Sequence, residues 1–256
     1  MTFGSLFSGI GGIDLGLERA GMECKWQVEI DPYCQKVLEK HWPHVKRYGD
    51  IKTVGEELER VDLIAGGFPC QPVSRAGLRL NQSDERWLWP EFFRIIRLVR
   101  PRFVFVENVP GLLDHGIADI LGDLAQSGHD AEWESISAAS VGAPHIRDRV
   151  WILAYAGQQS RDLERRHNWT NGRTHVFPER TDGETSQRSE HRELAALVPG
   201  IHPGMASDWW LNQSRVDRTV NGISRKVVDS ANRGFGNAVV PQVVEWIGRR
   251  IIEATA

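Results

Sequence analysis

One thiol, one carboxylate and one cluster of glycines carry most of the chemistry legible in this chain. Cys70 lies in Gly66-Gly67-Phe68-Pro69-Cys70-Gln71-Pro72, directly after the apolar run Leu63-Ile64-Ala65. Two glycines free the backbone, and Pro69 and Pro72 fix φ on either side of the cysteine. Such a loop holds a thiol in one place, either as a nucleophile or as a small buried side chain in a tight turn. A free thiol, with a pKa near ~8.5, is mostly protonated at neutral pH and needs help from its surroundings to attack. Glu107 ends the apolar run Phe103-Val104-Phe105-Val106 and precedes Asn108-Val109-Pro110. A carboxylate at that strand end suits a general acid; standing alone, it would read as a cap or an ion pair.

These groups need a scaffold, and the flanking patterns describe one. Phe3 to Phe7 reads as a first strand, Ser8-Gly9-Ile10-Gly11-Gly12 as a turn, and Ile13, Leu17 and Ala20 as one face of a helix closed by Gly21. Strand, glycine-rich turn and helix form an arrangement that cradles nucleotides on backbone N–H groups. Cys24 to Ile30 is the second strand. Glu29 falls where such folds hydrogen-bond a ribose, and Asp31 with Pro32 reads as a helix N-cap. Cys34, Val37, Leu38 and His41 follow at helical spacing. Tyr48-Gly49-Asp50-Ile51 is a short third strand edge; Asp50 either reaches an adenine amino group or closes a plain turn. Val61 to Ala65 is the fourth strand. Phe92, Ile95, Ile96 and Val99 mark a helix stopped by Pro101. Phe103 to Val106 is the continuous apolar run of a central parallel strand. A helix through Ile117, Ile120, Leu121 and Leu124, strands at Ala131–Ser137 and Val150–Ala154, and a last helix with Val240, Val244, Ile247 and Ile251 on one face complete the pattern. The glycine turn, Glu29, Asp50 and Cys70 all fall at C-terminal strand ends, where doubly wound sheets bind ligands.

Composition narrows the class. The chain has 256 residues, 25% of them charged and 41% hydrophobic, as in ordinary globular proteins. No run approaches the ~20 apolar residues of a membrane span, and the N-terminus lacks the basic head and apolar stretch of a signal peptide. Cys24, Cys34 and Cys70 have no metal-ligand spacing, so no metal is expected, and the cytoplasm is the expected compartment. The net charge of −3 is not a nucleic-acid footprint by itself, but arginine is plentiful after residue 145. From Gly157 to about Glu193 apolar periodicity vanishes, which predicts a long loop or a small irregular region. Order returns at Leu194–Leu211, with Trp209-Trp210.

Together these motifs resemble the cytosine-5 DNA methyltransferases of bacteria and phages, over about residues 1–154 and 215–256. Phe7-Ser8-Gly9-Ile10-Gly11-Gly12 resembles the family's first cofactor motif, and Glu29 and Asp50-Ile51 its ribose and adenine positions. Gly67 to Gln71 resembles the catalytic loop, Asp84-Glu85-Arg86 with Leu88 the fifth motif, and Glu107-Asn108-Val109 the family's Glu-Asn-Val. Arg147-Asp148-Arg149 matches Gln-x-Arg-x-Arg, with His145 where the family usually has Gln. Ser140 and Val141 replace the more typical Asp and Tyr. Gly236-Asn237-Ala238-Val239-Val240 matches the last motif.

The resemblance implies an α/β fold: a Rossmann-like, S-adenosylmethionine-dependent methyltransferase sheet with a small, irregular target-recognition region. The implied division is 1–156 for catalysis and cofactor binding, 157–230 for target recognition, and 231–256 returning to the catalytic domain. It implies Cys70 as nucleophile, Glu107 as acid, Arg149 on the cytosine O2 and Arg147 in support. The implied cofactor residues are Phe7, Ser8, Gly9, Ile10, Gly11, Gly12, Glu29, Ile30, Asp50, Ile51, Pro69, Leu88, Asn237 and Val239. The cofactor would be S-adenosyl-L-methionine, with S-adenosyl-L-homocysteine as product, and the partner duplex DNA met by a monomer. Ser74, Arg75, Gln82, Arg161, Arg165, Arg166, Arg173, Arg215 and Arg218 are the candidate DNA contacts; bonds to phosphates would make affinity fall steeply with salt. A nucleotide-dependent oxidoreductase would explain the glycine turn and Glu29 but not Pro-Cys-Gln with Glu-Asn-Val. A silent DNA-binding relative would be expected to lack Cys70 or Glu107. An RNA methyltransferase of the same family is the remaining alternative.

Overall fold

The computed structural model describes residues 1–69, 87–114, 116–143, 145–156, 234 and 236–255. Among these, seven strands form one sheet: β1 (Thr2–Leu6), β2 (Glu23–Val28), β3 (Lys46–Tyr48), β4 (Leu63–Gly66), β5 (Phe103–Asn108), β6 (His129–Ser137) and β7 (Asp148–Ala156). The order across the sheet is β3-β2-β1-β4-β5-β7-β6. β1 to β5 run parallel, whereas β7 is antiparallel to both β5 and β6. Phe103–Val106 is thus parallel to a neighbour on one side only. A strand buried on both faces reads as an apolar run whichever way its neighbours point.

Side-chain alternation sends the two faces of the sheet to different cores. Ile64, Val104, Val106 and Ile152 pack under α3 (Trp89–Val99) and α4 (Ile117–Gln126). Phe3, Leu63, Phe103, Phe105 and Leu153 pack under α1 (Gly12–Arg19) and α5 (Pro241–Thr255). A register shift at Phe3/Gly4 pairs Phe3 with Cys24 and Gly4 with Trp26. Cys24 therefore joins the α1 side while Trp26 joins the opposite core.

The helices begin and end where local chemistry predicts. Asp31 accepts hydrogen bonds from the Tyr33 and Cys34 N–H groups and caps α2 (Pro32–His41), with Pro32 at its first turn. Cys34 and Leu38 are buried, but His41, the last residue of the helix, is exposed. Gly21 follows α1 at φ 96°, its N–H donating to Glu18 O while Met22 N–H reaches back to Leu17 O. Gly16 faces α5 so closely that a Cβ there would lie 2.6 Å from Pro241 O. The C-terminal helix is thereby seated on the helix that follows the glycine turn.

Candidate active site

Every parallel strand ends on the same edge of the sheet, and each contributes a loop there. After β1 the chain turns through Phe7, at φ 54°, a costly conformation for a non-glycine residue. Its ring stacks on Phe92 of α3 at 6.3 Å. Gly11, at φ 85°, leads into α1, with the Trp42 ring filling the space beside it. Glu29, just past β2, accepts the Gly9 N–H at 2.7 Å and the Asp31 N–H at 2.8 Å, tying the glycine turn to the start of α2. Ile30 stands 65% exposed next to it, a bare apolar side chain at a strand end. After β3, Asp50 accepts the Lys52 N–H at 2.9 Å, and its carbonyl accepts the Thr53 N–H. The turn and the strand-end carboxylate are therefore the same residue.

The acid end of the site lies where β4, β5 and β7 meet. Glu107 is nearly buried on β5 opposite Trp151 of β7, and Arg149, two residues along β7 on the same face, places its Nε 2.8 Å from Glu107 Oε1. Burial pushes the Glu107 carboxyl up; Arg149 and Arg147 pull it back only in part. A Cβ on Gly67 would sit 2.6 Å from Glu107 Oε2, so only glycine lets the loop after β4 pass so close to the carboxylate. Asn108, facing the other way, donates its Nδ2 to Phe68 O at 3.2 Å and accepts the Val109 N–H at 2.8 Å. It braces the base of the loop against β5. Phe68 and Trp87, one on each side of residues 70–86, meet edge to face at 5.2 Å. Arg147 donates to Gly236 O at 2.7 Å, and Val239 packs on Gly12, so the C-terminal motif touches both halves of the site.

The structure thus brings Phe7, Gly9, Gly11, Gly12, Glu29, Ile30, Asp50, Pro69, Glu107, Arg147, Arg149 and Val239 to one edge. Two expected cofactor residues present no side chain to it. Ser8 is buried, its hydroxyl 3.3 Å from Ser5 O, and Ile51 is 4% exposed in the core under α3. Only their backbones can face a ligand, because a tight turn at a strand end alternates inward and outward residues. Leu88 precedes α3, half-buried, and Asn237 is exposed before α5. Cys70, Ser74, Arg75, Gln82, Asp84-Glu85-Arg86, Arg161, Arg165, Arg166, Arg173, Arg215 and Arg218 lie outside the described residues. The roles of Gly67 and Asn108 depend on strand neighbours, which spacing does not reveal. Among the described residues no group of three His, Cys, Asp or Glu could hold a metal, and no helix is long and apolar enough to cross a membrane.

A sheet of this order with one inverted strand, and with a glycine turn and two carboxylates at successive strand ends, is an open α/β sheet with a ligand-binding edge, similar in fold to the Rossmann-like methyltransferases. The chain belongs to the C-5 cytosine-specific DNA methylase family, whose profile matches residues 1–219. It is 30% identical over 308 aligned residues to the type II methyltransferase M.NgoMIV of Neisseria gonorrhoeae, covering 99% of this chain and 98% of that protein. It is 36% identical over 159 residues to the type II methyltransferase M.HgiCII of Herpetosiphon aurantiacus, covering 59% of this chain and 36% of that protein. An E. coli prophage protein assigned as a DNA modification methyltransferase superposes with a TM-score of 0.53 at 28% identity, over 62% of this chain and 48% of that one. The chain spans nearly the whole of the first relative and less than half of the other two. Cytosine-5 DNA methylation is the activity of the family to which the chain belongs.

Proposed function

We propose that the chain transfers a methyl group from S-adenosylmethionine to carbon 5 of a flipped-out cytosine in duplex DNA, through a transient bond from Cys70 to carbon 6. The observation that carries this reading is the ion pair of nearly buried Glu107 with half-buried Arg149, the Glu107 carboxylate pressed against Gly67 on the loop that leads to Cys70. The cofactor edge fits an adenosyl group. A Cβ on Gly9 would meet nothing within 4 Å, and beside this open space stand the Glu29 carboxylate and the exposed Ile30. Glu29 would hold the ribose hydroxyls, Ile30 would lie on the adenine, and Asp50 would take its amino group. When bound, S-adenosylmethionine supplies an electrophilic methyl group.

The chain's own residues do the rest. Carbon 5 of cytosine is a poor nucleophile until the Cys70 thiolate adds to carbon 6 and pushes electrons through the ring. Glu107, its carboxyl raised by burial, hydrogen-bonds the exocyclic amino group and gives a proton to N3 as charge develops there. Arg149, already beside Glu107, meets O2, and Arg147 ties the β7 start to Gly236. After methyl transfer a base takes the carbon-5 proton. The C–H electrons expel Cys70 as thiolate, and the N3 proton returns to Glu107. Flipping the base costs about a few kcal/mol. Residues 157–230 would read the target sequence, with Arg161, Arg165, Arg166, Arg173, Arg215 and Arg218 on phosphates, and 231–256 would complete the catalytic domain. We read the protein as a cytoplasmic monomer of a restriction–modification system, in line with its type II relatives.

Incubation with labelled S-adenosylmethionine and duplex DNA of varied sequence, followed by digestion to nucleosides, is expected to yield 5-methylcytosine. Its absence would sink the reading. Cys70→Ala should abolish transfer while S-adenosylhomocysteine binding persists; normal methylation by that variant would remove Cys70 as the nucleophile.

A further inference from the structure

Helix α3 carries one side chain that reaches across to the turn bearing Asp50. Arg94 donates from Nη2 to Ile51 O at 2.7 Å and from Nη1 to Val54 O at 2.9 Å. Its Nε donates to Glu91 Oε2 at 2.7 Å, one helical turn earlier, which orients the guanidinium plane. Two carbonyls three residues apart are thus held by one rigid fork, a geometry that a lysine ammonium cannot copy. The bonds are charge-assisted and end on backbone, so they fix where the turn lies. Inside the turn, Asp50 accepts the Lys52 N–H and Thr53 Oγ1–H, while Ile51 and Val54 are buried in the core. Without Arg94, the turn keeps its internal bonds and the packing of Ile51 and Val54 but loses its hydrogen-bonded tie to α3. The opposite end of that tie is well anchored. Phe92 of α3 stacks on Phe7 of the glycine turn, and Trp89 and Phe92 pack on Phe68 below the catalytic loop.

We propose that Arg94 is a positioning residue for the adenine end of the cofactor: it clamps the Asp50–Val54 turn to α3, so that the Asp50 carboxylate stands where an adenine amino group can donate to it. The inference rests on the S-adenosylmethionine reading given above and adds a residue that touches no substrate.

Calorimetric titration of S-adenosylhomocysteine and of its inosine analogue, which lacks the adenine amino group, separates the possibilities. The wild-type protein should bind the adenosine ligand more tightly than the inosine one. In Arg94→Ala the adenosine ligand should weaken by about tenfold, as expected for loss of charge-assisted bonds, and the preference over inosine should collapse. Arg94→Lys, which keeps the charge and the helix, should recover only part of that preference. Glu91→Gln should lose a smaller part. In turnover, KM for S-adenosylmethionine should rise in Arg94→Ala while kcat at saturating cofactor and KM for DNA stay within about twofold. Unchanged affinity and preference in Arg94→Ala would overturn the proposal. Equal weakening of both ligands with a lowered melting temperature would overturn it too, showing a general structural role. A wild-type protein that binds neither ligand would instead refute the cofactor reading on which the proposal stands.

Discussion

Asp14 offers a test of the buried chemistry behind the cofactor edge. It lies in the first turn of α1, fully buried, and accepts hydrogen bonds from Ser5 Oγ at 3.0 Å, Gln27 Nε2 at 2.9 Å and Cys24 Sγ at 3.7 Å. Burial pushes its carboxyl up from 3.8 to about 6, and the bonds from Gln27, Ser5 and Cys24 offset only part of the shift. A folded-state pKa raised above the unfolded one means that the native state holds the proton more tightly. The stabilisation is fully present below about pH 4 and is lost as pH rises from there through 6. A shift of about two units corresponds to about 3 kcal/mol, with no discount for solvent screening because the group is inaccessible. Asp14→Asn removes this titration. Its amide N–H can meet Gln27 Oε1, which is buried without a partner among the described residues, once the Gln27 amide turns over. The Cys24 thiol, pushed up by burial and by the Asp14 and Glu18 charges, stays neutral throughout. Urea unfolding of both proteins between pH 4 and 7.5 should show Asp14→Asn gaining about 3 kcal/mol relative to wild type as pH rises. A difference that is flat across this range, or that runs the other way, would refute the account of Asp14.

Two glycine substitutions probe close packing. Gly67→Ala would place a Cβ 2.6 Å from Glu107 Oε2 and displace the carboxylate, so kcat should fall by about a hundredfold with S-adenosylhomocysteine binding unchanged; a kcat within twofold of wild type would contradict the role of Gly67. Gly16→Ala gains up to about 1 kcal/mol of helix propensity, but its Cβ would lie 2.6 Å from Pro241 O at the α1–α5 contact, and overpacking costs about 1–3 kcal/mol. The clash should win, lowering the urea midpoint; a raised midpoint would show that α5 can move aside.

The local elements were legible from the chain itself. Strand runs, the Asp31-Pro32 helix start, the Gly21 stop, the Asp50 turn and the bond from the Asp31 N–H to Glu29 each arise from neighbours within a few residues, whose chemistry spacing records directly. The order and direction of strands do not arise that way. β7 reads as an apolar run like β5, and nothing in the run states that it inserts between β5 and β6 pointing backwards. That inversion brings the start of β7, and Arg149 with it, to the edge where β5 ends at Glu107. Arg94 was silent for the same reason: its nearest partner in sequence is Glu91, and the carbonyls it clamps lie on a different loop. The sequence by itself determined which groups could act and at which strand ends they stand. Only the tertiary structure decided which of them touch, because pairing between strands and the reach of long side chains are set by packing across the sheet and not by distance along the chain.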